Sequence, residues 1–335
     1  MNEVNLVTKK IFDVAVIGGG PVGIFTAFYA AMRDLQTVLI ESMPTLGGQP
    51  SNLYAQKKIY DVAGKFGVSG VELTKSLLVN DDHFTYETCL ETTVQNFEKL
   101  DDCYRIITNQ QNDLYARAII VTIGNGPFKP RKLAFDYDSA LEGKQLNYFV
   151  KDINEYHDCD VLVAGGGDAA VDWALEIDKV AHTTYLLHRR EQFRALESSV
   201  RMLNSSKVKL LTPNIITGIQ RNLDSEKLTV TYKTVGDKTI NQIVVDKLLV
   251  NYGMTNDSRL LRQWGLNLQG PFITVNSQMQ TNLPQVYGAG DAIIYPGKQR
   301  LIALGFAEGP IAVNSAIEEL YPQKTHFGHS SSMFN

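Results

Sequence analysis

Apolar positions along this chain gather into short unbroken runs divided by polar and glycine-rich stretches. Residues 12–17 form one such run and 37–40 another, and each predicts a parallel strand covered on both faces. Between them, 22–32 is apolar nearly all round, which predicts a helix wedged between a sheet and other elements. The succession returns downstream as a strand over 160–164, a helix to about 180 and a strand over 183–187. A strand over 285–287 and a helix over about 308–320 come last. Strands alternating with helices predict an α/β protein built on parallel sheets.

Glycines occupy the strand-to-helix junctions. Residues 18–23 read Gly-Gly-Gly-Pro-Val-Gly. Gly18 permits a tight turn, Gly20 lets the backbone approach a pyrophosphate, and Gly23 lets helix and strand pack closely, while the helix amino terminus faces the phosphates. Glu41, 18 residues after Gly23, stands where a carboxylate accepts hydrogen bonds from the hydroxyls of an adenosine ribose. A second motif has Gly165, Gly167 and Ala170 in the same spacing, with Asp168 inside it. Shifting the first motif by 147 residues places Gly18 on Gly165 and Glu41 on His188, which Arg189 and Arg190 follow. The ribose position is anionic in the first motif and cationic in the second. Guanidinium groups donate paired hydrogen bonds to a 2'-phosphate that a carboxylate would repel, so NADPH is expected there in preference to NADH. The plainer alternatives are a tight turn without a ligand and an arginine cluster that meets only solvent.

A length of 335 residues favours two domains. The net charge of -4, with no basic stripe, gives no reason to expect nucleic acid. The first ten residues lack the apolar core of a secretory signal and no apolar run is long enough to span a membrane, so a cytoplasmic protein is expected. Cys89, Cys103 and Cys159 are scattered, with no C-x-x-C pair or zinc-like cluster, and neither a thiol role nor a metal is expected.

Near the carboxyl end, Gly288-Ala289-Gly290-Asp291 follows Thr281-Asn282-Leu283-Pro284. The segment resembles the carboxy-terminal FAD motif of disulfide-reductase-type flavoproteins. The resemblance implies that Asp291 meets the ribityl chain and that the last helix points its amino end at the pyrimidine side of the flavin. The fold is then two Rossmann-like dinucleotide-binding domains of three-layer ββα type, the second inserted into the first. The FAD domain comprises 1–123 and 285–335 and the NADP domain 124–284, joined by the Gly124-Asn125-Gly126-Pro127 and Asn282-Leu283-Pro284 linkers as a hinge.

This order, with His188-Arg189-Arg190-Glu191-Gln192-Phe193-Arg194-Ala195, resembles thioredoxin reductase, but residues 147–152 hold no C-x-x-C. The chain is more similar to the thioredoxin-reductase-like type of ferredoxin–NADP reductase. Matching stretches include Leu46-Gly47-Gly48-Gln49 with Leu53-Tyr54, Tyr60-Asp61-Val62-Ala63-Gly64, Gly124-Asn125-Gly126 with Phe128-Lys129-Pro130, and Val250-Asn251-Tyr252-Gly253. The resemblance implies FAD contacts at Glu41, Gln49, Tyr54, Val94, Phe128, Asp291 and Ser331. NADP contacts fall on Gly165, Gly167, Asp168, Ala170, His188, Arg189, Arg190 and Arg194. Tyr54 would stack on one flavin face, His329 would cover the other, and Ser331 stands where some relatives carry threonine. All three are tuners; no side chain is named as a catalytic acid or base. Pro50 after Gln49 departs from the apolar residue expected there.

The implied activity is hydride exchange between NADPH and FAD, then single-electron transfer to ferredoxin or flavodoxin, by a homodimer. Lys57, Lys58, Lys129, Arg131, Lys132, Lys298 and Arg300 are candidates for a cationic surface facing such an acidic partner. An NADPH diaphorase or quinone reductase would share every nucleotide motif, and a non-catalytic flavin redox sensor is the alternative of a different class.

Overall fold

The computed structural model describes residues 10–52, 57–79, 84–126, 129–222, 224–255 and 258–324. In it the continuous apolar runs become central strands. Ile11–Ile17 and Thr37–Ile40 pair in parallel, with Ile17 opposite Ile40, and Leu114–Val121 runs parallel on the other side of Ile11–Ile17. The sheet has the order Glu87–Cys89, Thr37–Ile40, Ile11–Ile17, Leu114–Val121, Tyr104–Thr108, Val94–Lys99, and Val286–Gly288 also pairs with Leu114–Val121. The last strand is parallel to its neighbour, so the ends of Ile11–Ile17, Leu114–Val121 and Val286–Gly288 that lead into the glycine turns share one edge.

The chain divides into two compact units, Met1–Pro127 with Asn256–Asn335, and Phe128–Thr255. The expected return to the first domain at 285 lies late. Trp264 packs on Phe97 with ring centroids 5.2 Å apart and donates its indole N–H to the Gln95 carbonyl at 3.1 Å, while Phe272–Thr274 pairs in parallel with Ile293–Ile294. A 4% exposed tryptophan anchored in this way ties 258–284 to the first unit, whatever the turn residues at 282–284 signal. The expected boundary at 123 falls close to the end of the first segment.

The second unit is built on a parallel sheet in the order Leu146–Asn147, Lys247–Asn251, Asp160–Gly165, Thr183–Leu187, Lys209–Leu211. Alternate residues divide between its faces. Leu162, Ala164, Leu187, Leu248 and Val250 share a core with Ile216, Leu228, Val230 and Val245 of the antiparallel sheet Asn214–Arg221, Leu228–Thr234, Ile240–Val245. The Asp168–Ile177 helix packs against the central strands, with Trp173 2% exposed. Sheet, antiparallel ribbon and helix give the expected layers.

The last helix is longer than its sequence suggests. It spans Ile302–Leu320 with Pro310 inside, where a start near 308 was expected. Gly305, Gly309 and Pro310 read locally as breakers, but the two glycines allow close packing on the Pro21–Met32 helix, and that tertiary contact overrides propensity. Among the described residues, no helix is long and apolar enough to cross a membrane.

Candidate functional site

Three segments far apart in sequence meet beside the Ile11–Ile17 strand. Gly18 takes φ +112°, and a Cβ there would stand 2.7 Å from the Thr122 carbonyl oxygen. At Gly23 a Cβ would fall 1.8 Å from the Gly18 carbonyl oxygen, so only glycine lets this helix approach its strand. The Pro21–Met32 helix has no side-chain cap at Gly20 and no acid in its first turn. Pro21 has no N–H, so Val22 and Gly23 supply the first available donors at a positive helix end, a ready anion site.

Glu41 ends its strand 7% exposed. Its Oε2 accepts the Gly19 N–H at 2.6 Å and its Oε1 the Met43 N–H at 2.8 Å, which orients the carboxylate over the glycine turn. The Gly19 carbonyl accepts the Gly47 N–H at 2.8 Å, bringing Leu46-Gly47-Gly48-Gln49 onto the same turn, with Gln49 half-buried. Pro50 sits in the short Gly48–Asn52 helix, whose first turn has no use for its missing N–H. Val94 contributes a core side chain, 4% exposed, and is the one described FAD candidate whose side chain belongs to packing. Tyr54, Phe128, His329 and Ser331 lie outside the described residues.

Asp291 occupies the turn Gly290–Ala292 after Val286–Gly288. Its carboxylate accepts no hydrogen bond from the described residues. Burial pushes its pKa up, Lys298 and Arg300 pull it down, and Glu308 adds to the rise. Asn125, expected in a linker and in a family-matching stretch but not as a contact, has its side-chain oxygen buried without a partner among the described residues, just beyond the Leu114–Val121 strand. An unsatisfied buried acceptor beside glycine turns that a Cβ would obstruct fits a nucleotide ligand.

The second unit repeats the construction. A Cβ on Gly165 would stand 2.4 Å from the Asn251 carbonyl oxygen and 2.8 Å from Ala170 Cβ. Gly167 caps the Asp168–Ile177 helix without a side-chain bond. Asp168 is occupied locally, its Oδ1 accepting the Leu196 N–H at 2.9 Å, and the Arg194 N–H donates to the Gly166 carbonyl at 2.7 Å, so the 188–196 loop is pinned to the glycine turn. The His188 ring lies where a Cβ on Gly166 would collide with it, and it stacks on Phe193 with centroids 5.5 Å apart. Burial first, then Arg189, Arg190 and Arg194, hold His188 below the ordinary histidine pKa. His188 Nε2 and Asn251 Oδ1 are buried without partners among the described residues, as at a ligand site. The side chains of the three arginines are exposed and make no hydrogen bond or ion pair with described residues.

The profile of the pyridine nucleotide-disulphide oxidoreductases matches residues 12–319. The chain belongs to that family. Ferredoxin–NADP reductase 2 of Latilactobacillus sakei is 46% identical over 97% of this chain and 98% of its own length. A ferredoxin–NADP reductase of Halalkalibacterium halodurans is 44% identical over 97% of this chain and 99% of its own. Thioredoxin reductase of Lactococcus lactis superposes with a TM-score of 0.81 at 24% identity, over 93% of this chain and 99% of that one, and shows the same fold.

Within this oxidoreductase family, disulfide chemistry needs a paired, activated thiol. Here Cys89, Cys103 and Cys159 are unpaired, and burial raises the thiol pKa of Cys89 and Cys159. The expected cationic surface needs correction at Lys298, whose side chain is 1% exposed and bridges Glu308. Lys58 pairs with Glu72 at 3.7 Å, Lys132 with Glu142 at 2.8 Å, and Arg131 donates to the Met254 carbonyl at 3.2 Å.

Proposed function

We infer that this chain is a ferredoxin–NADP reductase that holds FAD on the cradle of the first unit and uses NADPH on the cradle of the second. One contrast carries the reading: equivalent positions hold the Glu41 carboxylate in the first cradle and, in the second, His188 followed by two guanidinium groups that pair with no described residue. When bound, FAD supplies hydride exchange with the nicotinamide and single-electron exchange with a protein partner. The chain's own residues bind and orient. Glu41 takes the adenosine ribose, the Val22 and Gly23 amides take the pyrophosphate, and Asp291 takes the ribityl hydroxyls. Arg189 and Arg190 clamp the 2'-phosphate, and Arg194 anchors their loop through its backbone. Tyr54 and His329 cover the two flavin faces, with Ser331 beside the ring. The partner is ferredoxin or flavodoxin, acidic in either case, and the working form is a homodimer.

NADPH oxidation by the purified flavoprotein with ferredoxin, flavodoxin and thioredoxin in parallel, and NADH as control donor, tests the reading. Salt-sensitive turnover with ferredoxin or flavodoxin, strong NADPH preference and no turnover with thioredoxin are expected. Quinone reduction with no response to any protein acceptor would refute it.

A further inference from the structure

A buried charge pair lies directly behind the Asp291 turn. The side chains of Lys298 and Glu308 are each 1% exposed, and Lys298 Nζ meets the two carboxylate oxygens at 2.6 and 2.8 Å. Glu308 Oε1 also accepts the Tyr295 hydroxyl at 2.7 Å, and its Oε2 accepts the Gly290 N–H at 2.8 Å. The cluster therefore grips one backbone position, and Gly290 has φ +75°, a conformation side-chain-bearing residues seldom take. Val22 closes the other side: a Cβ on Gly290 would stand 3.3 Å from Val22 Cγ2, and one on Gly305 2.3 Å from the same atom. A buried ion pair adds little stability, because desolvating both charges offsets most of their attraction. What this pair does fix is the geometry of the residue immediately before Asp291.

We propose that Glu308, Lys298 and Tyr295 are positioning residues for the flavin nucleotide, locking the Gly290 amide so that the Asp291 carboxylate faces the ribityl hydroxyls. The proposal rests on the FAD reading of the first cradle. Lys298 has a second role. With Arg300 it pulls the Asp291 pKa down, against the larger rise from burial and the further rise from Glu308.

The test is FAD titration of the apoprotein by flavin fluorescence quenching, with the flavin midpoint potential and the thermal unfolding of each apoprotein measured alongside. Two charge-free double variants separate positioning from packing. Lys298→Met with Glu308→Gln keeps an amide oxygen able to accept the Gly290 N–H, and FAD affinity within about threefold of wild type is expected. Lys298→Met with Glu308→Leu has no acceptor there, and about tenfold weaker binding with a shifted potential is expected. Tyr295→Phe removes one hydrogen bond and no charge; it should unfold like wild type and bind FAD about threefold more weakly. Equal affinity and potential in both double variants, or wild-type values for Tyr295→Phe should a double variant not fold, overturn the proposal. A wild-type apoprotein that binds no FAD overturns the cofactor reading itself, and the two failures are told apart by that control.

Discussion

Arg189→Ala combined with Arg190→Ala removes the guanidinium groups assigned to the 2'-phosphate without touching the fold. Both side chains are exposed and make no bond to described residues, and surface changes of this kind stay within about 0.5 kcal/mol of stability. A charge-assisted hydrogen bond contributes about 1.5 kcal/mol at the low end of its range, the end suited to solvent-exposed, screened groups. That is about tenfold per arginine, so the double variant should raise the KM for NADPH about 100-fold. NADH has no 2'-phosphate and should move by less than about threefold. Steady-state oxidation of both nucleotides with ferricyanide as acceptor measures this without a protein partner. The wild-type KM for NADPH should also climb with salt while that of the variant stays nearly flat. Equal losses for NADPH and NADH would mean that the arginines shape the loop, and an unchanged NADPH KM would mean that they never meet the phosphate; either refutes the reasoning.

Gly23→Ala forces a Cβ to within 1.8 Å of the Gly18 carbonyl oxygen, so a loss of at least about 1–3 kcal/mol and a colourless purified protein are expected, read by thermal unfolding and flavin content. Glu41→Gln keeps an oxygen for the Gly19 N–H but gives up the ribose-binding charge and the acceptor of the Met43 N–H; FAD should bind about tenfold more weakly, with the apoprotein destabilised by about 1–3 kcal/mol, and wild-type affinity would remove Glu41 from the site. Proton NMR should find His182 titrating above the ordinary 6.5, because Asp160 at 2.9 Å favours its charged form, and His188 below it. For His182 the folded pKa is raised, so its contribution is complete below the unfolded value and fades as pH rises through the folded one; the stability gap to His182→Asn should narrow over that interval. Trp264→Ala should destabilise the first unit by about 3–5 kcal/mol, which differential proteolysis of the two units can localise.

The two glycine turns were legible because their logic is local: strand, turn and helix lie within a few dozen residues, and the 147-residue shift that aligns them sets Glu41 against His188 at the ends of equivalent strands. What stayed hidden depends on partners remote in sequence. Trp264 reveals its unit only by meeting Phe97 and Gln95, and Asn282-Leu283-Pro284 marks a real turn without marking a boundary. Lys298 looked like any surface lysine, since nothing in the surrounding residues announces that Glu308 will face it in the interior. The start of the last helix was missed because Gly305, Gly309 and Pro310 weaken local propensity while making possible the helix contact that replaces it. Asn125 was read for its glycine neighbours, and its lone buried oxygen shows only once the strands are assembled.

Val22 belongs to the first turn of the first helix, yet its side chain packs against Gly290 and Gly305. A chain emerging from the ribosome holds one side of this cradle early and obtains the other only when its last strand and helix appear. The contiguous unit 128–255 can meanwhile complete its own core, since domains fold as they are synthesised. On the proposed function, capture of the flavin nucleotide waits until the Ile302–Leu320 helix has been made, so that yellow colour would record that synthesis has passed that point.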